Sequence, residues 1–158
     1  MSPAGFRLAP RLLEERADWR RAGTRVVLTN GCFDLLHAGH IALLEQARGH
    51  GDVLIVAING DDSVRRLKGA ARPLVPEAER AELLLGLEAV DRVVVFDEDT
   101  PLEVVRLLLP DVLVKGADWG PDNIVGSREV EAAGGEIVRV PLVAGRSTSA
   151  ILELIRRK

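Results

Sequence analysis

The fold is decided by the stretch Leu28-Thr29-Asn30-Gly31-Cys32-Phe33-Asp34-Leu35-Leu36-His37-Ala38-Gly39-His40. It follows the apolar, β-branched run at 26–28, which is typical of a buried strand, and precedes residues 41–47, whose apolar spacing is helical. We therefore predict a strand-to-helix turn. In a parallel sheet, such a turn lies at the carboxyl ends of the strands and presents free backbone N–H groups and a helix N-terminus. These groups bind phosphate, so a phosphate-binding site is expected here.

Two histidines flank a glycine at the end of this stretch. His37 and His40 are three residues apart, so their imidazoles lie on one side of the first helical turn, and Gly39 leaves room for a ligand to approach the backbone. We predict that both histidines contact a triphosphate. A zinc site is the competing interpretation, but the metalloprotease pattern needs histidines four residues apart with an adjacent glutamate, and the third histidine, His50, falls in a predicted loop. No structural zinc is expected.

Length and composition are those of one globular domain. The chain has 158 residues, of which 47% are hydrophobic and 28% charged, enough to enclose a core. We expect a single domain over residues 1–158, with residues 1–9 as a mobile tail. The apolar runs are too short to span a bilayer and the first residues lack a signal-peptide pattern, so a cytoplasmic location is expected.

The net charge and the cysteine content argue against a nucleic-acid-binding surface and against a disulfide-bonded domain. A net charge of −3 gives no electrostatic footprint for nucleic acid. Cys32, the single cysteine, rules out an internal disulfide. Because it lies in the phosphate-binding stretch, helix-end dipoles could lower the pKa of its thiol; the alternative is that the position simply requires a small side chain.

Apolar runs alternate with helical patterns along the chain. The predicted strands are 25–29, 52–58, 91–96, 111–116 and 136–140. The predicted helices are 10–22, 41–48, a short one opening at 59–63, 77–87, 101–109 with Thr100 as N-cap, one beginning at 126–131, and 149–157. This alternation predicts an α/β fold with about five mainly parallel strands, helices on both faces and ligands at the carboxyl edge.

A basic loop is predicted at residues 65–73, next to the phosphate-binding turn. Lys68 and Arg72 are separated by small residues that would let both side chains reach inward and contact a substrate phosphate. The alternative is an ordinary solvated charged surface. The glycine and alanines between them suggest a mobile segment that closes over the substrates.

The start of the last helix also has two interpretations. Ser147, Thr148 and Ser149 can simply provide its N-cap. Three hydroxyls at a helix N-terminus, preceded by Arg146, also form a second anion site. Both can hold together.

Residues 31–40 resemble the G-x-F-D-x-x-H-x-G-H motif of the cytidylyltransferase-like nucleotidyltransferases, which share H-x-G-H with class I aminoacyl-tRNA synthetases. Segments across nearly the full chain further resemble the adenylyltransferase half of the bifunctional heptose-phosphate kinase/adenylyltransferase. These segments lie at 66–69, 72–73, 87–91, 99–101, 109–116, 126–127 and 134–136. The resemblance implies a Rossmann-like nucleotidyltransferase fold in a stand-alone enzyme that depends on a separate kinase.

The implied reaction is attack by D-glycero-D-manno-heptose 1-phosphate on the α-phosphorus of ATP, with Mg²⁺, giving ADP-heptose and pyrophosphate. The resemblance implies catalytic roles for His37, His40 and Lys68, and a homodimer. It implies substrate-phosphate contacts for Lys68, Arg72 and Arg80. The implied nucleotide-binding residues are Asn30, Gly31, Cys32, Phe33, Gly39, Lys115, Gly116, Asp118, Arg146, Ser147, Thr148 and Ser149.

Three points stay open from the residues alone. Asp34 either orients a histidine or Mg²⁺ as an indirect acceptor, or caps the turn. The reaction could instead be another transfer of the superfamily, such as CTP with glycerol phosphate. A nucleotide-sensing module without catalysis is the third alternative, although the intact His37, His40 and Lys68 argue against it.

Overall fold

The computed structural model describes residues 10–158 and contains one five-stranded sheet with seven α-helices. The strands are β1 Val26–Gly31, β2 Val53–Asn59, β3 Arg92–Phe96, β4 Val112–Gly116 and β5 Glu136–Val140. The helices are α1 Pro10–Ala22, α2 Ala38–Arg48, α3 Asp61–Lys68, α4 Glu77–Leu85, α5 Leu102–Leu108, α6 Ser127–Ala132 and α7 Thr148–Arg156, with a 3-10 turn at Pro121–Asn123.

All strand pairs are parallel, in the order β3-β2-β1-β4-β5. The first strand, β1, lies at the centre of the sheet. The chain then adds β2 and β3 on one side and crosses over to add β4 and β5 on the other. The order reverses at β1, and in open α/β sheets the crevice beside such a reversal is where ligands bind. The predicted α/β fold with five parallel strands is confirmed.

Buried apolar residues form a cluster on each face of the sheet. The first joins Leu44 of α2 and Leu84 of α4 to alternate residues of the sheet. The second joins Leu12 of α1 and Val105 of α5 to the other set of sheet residues. Because both faces are covered, the central strands are apolar throughout, as expected for a parallel sheet.

The element bounds differ from the sequence prediction mainly next to the ligand edge. Residues 65–68, predicted as loop, form the last turn of α3. This helix carries Asp61 and Asp62 in its first turn and basic residues in its last, and Asp62 pairs with Arg65 at i,i+3; both features stabilise a helix.

Smaller differences lie elsewhere. Pro101, rather than Thr100, is the N-cap of α5, and α7 begins at Thr148 with Ser147 as its N-cap. The tail predicted at residues 1–9 lies outside the described residues. Within residues 10–158, no helix has the length and apolarity needed to cross a membrane.

Candidate active site

A cavity of about 710 Å³ opens at the carboxyl edge of the sheet. This volume is in the range of small-molecule sites. Most of the residues predicted as site residues line it: Asn30, Gly31, Cys32, Phe33, Asp34, His37, Gly39, His40, Lys68, Arg72, Lys115, Asp118, Arg146, Ser147, Thr148 and Ser149. Segments up to 119 residues apart in sequence therefore meet at one place. Gly116 and Arg80, also predicted, do not line the cavity.

His37 is the N-cap residue of α2. Its backbone is extended, and its Nδ1 accepts a hydrogen bond from the backbone N–H of Gly39 at 3.0 Å. Burial, and then the nearby charge of Arg146, lower the pKa of His37. In the neutral imidazole the acceptor role of Nδ1 places the proton on Nε2, which makes Nε2 a hydrogen-bond donor.

His40 stacks on His37, with ring centroids 3.8 Å apart, and its ring centroid also lies 5.0 Å from that of Phe33. Burial, and then the neighbouring His37, lower the pKa of His40 to about 4. Its Nδ1 is buried and makes no hydrogen bond with the described residues. Unsatisfied buried polar atoms are rare, and those that occur often mark functional positions.

Gly39 is closely surrounded by protein atoms. A Cβ at this position would lie 2.8 Å from Cε1 of His37 and 3.2 Å from Cβ of Arg146. The glycine therefore makes room for the capping imidazole and for the α7 segment, and its contact with a ligand stays a prediction. The same holds for Gly31, where a Cβ would lie 2.9 Å from the ring of Phe33.

The N-terminus of α7 meets that of α2 at the cavity. Ser147 caps α7 by accepting from the N–H of Ala150 at 3.0 Å. Thr148 Oγ1 donates to the carbonyl of Leu35 at 3.2 Å; Leu35 lies in the turn between β1 and α2, residues 32–37, called the motif turn below. Ser147, Thr148, Ser149 and Arg146 all line the cavity. Two positive helix ends and an arginine thus face one space, an arrangement that favours a polyanion.

Lys115, at the end of β4, forms the wall beside the turn. Its Nζ donates to the carbonyl of Asn30 at 3.0 Å and lies 4.9 Å from the centre of the Trp119 ring. Burial lowers the pKa of Lys115, while the nearby Asp118 opposes the shift. Gly116 is buried, and a Cβ there would lie 2.8 Å from Oδ1 of Asp118. Packing therefore favours glycine at this position, and its contact with nucleotide stays a prediction.

Among the described residues Asp34 makes no hydrogen bond to a histidine, while its role toward Mg²⁺ stays a prediction. Asp34 is buried, and it accepts hydrogen bonds from Nε of Arg72 and from the N–H groups of Leu74 and Val75, at 2.6 to 2.9 Å. Burial raises its pKa, but these hydrogen bonds and the charge of Arg72 outweigh that effect and lower it. Asp34 therefore holds the loop between α3 and α4 rather than a histidine.

The substrate-phosphate contact predicted for Arg80 is also corrected. Its side chain is fully buried, and its guanidinium donates to the carbonyls of Cys32, Asn59 and Val75 and to the carboxylate of Asp61, at 2.7 to 2.9 Å. These partners leave the group enclosed in protein behind the cavity wall. A phosphate contact is therefore not the role of Arg80; it joins the ends of β1 and β2 to the loop that precedes α4.

Cys32 lines the cavity with its Sγ 3.8 Å from Oδ1 of Asn59. Burial raises the pKa of its thiol, against the opposing effect of Lys68 and three other cations. The suggestion that helix dipoles lower this pKa is wrong, and the thiol is protonated at neutral pH.

The sequence analysis missed two groups of cavity residues. The first is polar: Asn59 is the last residue of β2, and Asp99 and Thr100 follow β3. The second is apolar and comes from the segments around β4 and β5: Ile124, Val125, Leu142 and Val143. The position of Asn59 at a strand end next to the motif strand was a usable signal. The apolar group gave none, because isolated apolar residues in loops have no periodicity.

Comparisons with known proteins agree with this geometry. "Bifunctional protein HldE" of Koribacter versatilis (strain Ellin345) is 58% identical over 142 residues, which are 90% of this chain and 29% of that protein. The protein of the same name from Alkalilimnicola ehrlichii is 55% identical over 152 residues, 96% of this chain and 32% of that protein. The chain thus spans about a third of the length of these curated relatives.

A solved structure is similar over most of the chain. The lipopolysaccharide core biosynthesis protein from Thermoplasma volcanium GSS1 superposes with a TM-score of 0.62 and 30% sequence identity, covering 77% of this chain and 98% of that one. Residues 28–151, which include the histidine pair and the N-terminus of α7, match the family model described as cytidylyltransferase-like. The chain belongs to the cytidylyltransferase-like family.

Proposed function

We propose that the protein transfers the adenylyl group of ATP to D-glycero-D-manno-heptose 1-phosphate, for the synthesis of lipopolysaccharide core or another surface glycan. An oxygen of the sugar phosphate attacks the α-phosphorus. The bond from that phosphorus to the α–β bridging oxygen breaks, and pyrophosphate leaves with the negative charge. The observation that carries the proposal is the meeting of two helix N-termini, a stacked neutral histidine pair and the cations Lys68 and Arg72 in one cavity.

The acceptor needs no general base, because a phosphate monoester is already ionised at neutral pH. Catalysis then consists of aligning two polyanions and stabilising the charge that develops on the phosphate oxygens. His37 donates from Nε2, since Nδ1 is held by the N–H of Gly39. A neutral donor suits this task, because it strengthens its hydrogen bonds as charge builds up on the leaving pyrophosphate.

The two substrates are assigned to two parts of the cavity. The N-termini of α2 and α7, with Arg146, bind the triphosphate. Lys68 at the end of α3 and Arg72 in the following loop are the cations that remain for the acceptor phosphate. The apolar residues Leu142 and Val143, which line the same cavity as Trp119, provide a surface for the adenine ring.

Mg²⁺ is proposed to enter with ATP. Among residues 10–158, no group of three or more His, Cys, Asp or Glu side chains could hold a metal ion. The carboxylate of Asp34 is already engaged by Arg72 and two backbone amides. These residues therefore fit an ion held by the phosphate oxygens of the nucleotide, where it would screen their charge.

Two observations support the choice of substrate. The solved relative is a lipopolysaccharide core biosynthesis protein, and segments across nearly the full chain resemble the adenylyltransferase half of the bifunctional heptose-phosphate kinase/adenylyltransferase. A cytoplasmic location and a homodimer belong to the same proposal. Sedimentation equilibrium of the purified protein measures whether it is a homodimer.

The test is pyrophosphate release from a grid of nucleoside triphosphates against sugar and alcohol phosphates. We expect turnover with ATP and heptose 1-phosphate, and at least about a hundredfold lower kcat/KM with CTP and glycerol 3-phosphate. Preference for the CTP pair would assign cytidylyl transfer instead. Nucleotide binding without turnover of any pair would identify a sensing module.

A further inference from the structure

Asp34 connects the motif turn to the loop between α3 and α4. Its carboxylate is 1% exposed and lies 2.6 Å from Nε of Arg72, whose side chain is 16% exposed. The same carboxylate accepts from the N–H of Leu74 at 2.8 Å and from that of Val75 at 2.9 Å. A buried carboxylate with three donors is a strong constraint, because displacing any of them would leave a charge unsatisfied away from water.

The loop between α3 and α4 is divided by these contacts into two halves. Residues 69–71 are exposed, and Gly69 has φ +103. Residues 72–75 are held by Asp34 on one side and by Arg80, whose Nε donates to the carbonyl of Val75 at 2.9 Å, on the other. The mobile segment expected from the sequence is therefore confined to the first half, and Arg72 lies in the second, anchored half.

The bond to Asp34 also determines which face of Arg72 is available. Asp34 occupies Nε, and with the described residues the two Nη groups form no hydrogen bond. Arg72 lines the same cavity as Lys68. A guanidinium has five N–H donors, so the four on the Nη groups can bind a phosphate while Nε stays bound to Asp34.

We propose that Asp34 is a positioning residue for the acceptor phosphate, which holds Arg72 in its binding orientation before any substrate arrives. The inference rests on the proposed function. A cation oriented in advance does not have to reorganise when the phosphate binds or when charge develops in the transition state. Asp34 thus acts through Arg72, and its loss affects the acceptor rather than the triphosphate.

Amide hydrogen exchange of the unliganded wild-type protein tests the anchoring without any substitution. We expect the amides of Leu74 and Val75 to exchange at least about a hundredfold more slowly than those of Ala70 and Ala71. Equal rates across residues 70–75 would overturn the proposal, since Arg72 would then be ordered only by substrate.

Kinetics of Asp34→Asn test the direction of the effect. We expect kcat/KM for the sugar phosphate to fall about thirtyfold or more, while calorimetry gives a Kd for ATP within about threefold of the wild type. Asp91→Asn is the matched control, because Asp91 also accepts from a backbone N–H, that of Leu54, and pairs with Arg48, remote from the cavity. That variant should keep kcat/KM within about twofold.

A double-mutant cycle decides whether Asp34 acts through Arg72. In an Arg72→Ala background, Asp34→Asn should lower kcat/KM by no more than about threefold further. Independent, multiplicative losses would overturn the proposal, as would an equal loss of ATP affinity. If Asp34→Asn does not fold, the amide exchange rates of the wild type still decide whether residues 72–75 are anchored before any substrate binds. An inactive wild type would refute the proposed reaction, whereas the exchange rates report on the anchoring separately.

Discussion

At the scale of single residues, the histidine pair combines stacking with burial. The imidazoles of His37 and His40 lie 3.8 Å apart, a distance at which two positive charges would repel strongly. Both pKa values are lowered, that of His40 to about 4, so both rings are neutral at physiological pH. We therefore expect the pair to supply hydrogen-bond donors to the phosphates, without a proton-transfer role.

The first prediction concerns His40→Ala. If the imidazole stabilises charge that is present mainly in the transition state, kcat should fall by about a hundredfold or more with little change in the KM for ATP. Pyrophosphate release measures both parameters. His50→Ala, at the exposed histidine, is the control and should be fully active. Unchanged kcat in the His40 variant would remove this residue from the mechanism.

The second prediction is a pH dependence of stability. The pKa of His40 is about 4 when folded and 6.5 in the ordinary state, so between these values the unfolded chain binds more protons. Stability is therefore complete above about pH 6.5 and decreases as the pH falls toward about 4. Urea unfolding of the wild type and of His40→Gln at about pH 7 and about pH 5 measures this; the variant should lose less free energy of unfolding. An equal loss in both proteins would contradict the shifted pKa.

At the scale of secondary-structure elements, the two cations proposed to bind the acceptor phosphate lie on different parts of the chain. Lys68 is the last residue of α3, and Arg72 lies in the anchored half of the loop that follows. Residues 69–71 join them through an exposed segment. Because Asp34 holds the second half of this loop, we expect any movement to be confined to residues 69–71.

The third prediction is that Lys68→Ala lowers kcat and raises the KM for the sugar phosphate, while ATP affinity without sugar stays within about threefold. The reason is that the helix N-termini and Arg146, which we propose to bind the triphosphate, are unchanged in this variant. Calorimetric titration of ATP measures this. Arg65→Ala is the control, since Arg65 lies on the same helix and pairs with Asp62 at the surface. Lost ATP binding with retained sugar-phosphate binding would assign Lys68 to the triphosphate.

At the scale of the whole molecule, Arg80 connects the sheet to the helices around the cavity. It binds the carbonyls that follow β1 and end β2, and it reaches Asp61, the first residue of α3. Asp61 and Glu77 cap each other's helices: each carboxylate accepts from the backbone N–H of the other residue, at 2.7 and 2.9 Å. The starts of α3 and α4 are therefore fixed to each other and to the sheet edge.

The fourth prediction is that Arg80→Met destabilises the protein by about 3–5 kcal/mol, because it removes the guanidinium donor from three carbonyls and from Asp61, which keeps, among the described residues, only the N–H of Glu77. Urea unfolding gives the free energy. Arg65→Met, at an exposed position, should change it by less than about 1 kcal/mol. A similarly small change for Arg80→Met would mean that water replaces the guanidinium at no cost.

Much of the fold and part of the site could be predicted from the sequence. The apolar runs within β1 and β2 are nearly continuous because both faces of a parallel sheet are covered, and this burial is visible residue by residue. The histidine pair was equally visible, since His37, Gly39 and His40 lie within one helical turn. Local structure alone brings them together, and spacing reports local structure directly.

The partners of the buried charges were decided only by the tertiary structure. Asp34 binds groups 38 to 41 residues away, and Arg80 reaches a carbonyl 48 residues back. The phosphate contact predicted for Arg80 and the histidine contact considered for Asp34 were wrong for this reason. The approach of Arg146 to Gly39 likewise depends on where the chain returns after β5. Periodicity records burial and backbone geometry along the chain, whereas the crossover connections decide which strand ends and loops meet at the carboxyl edge.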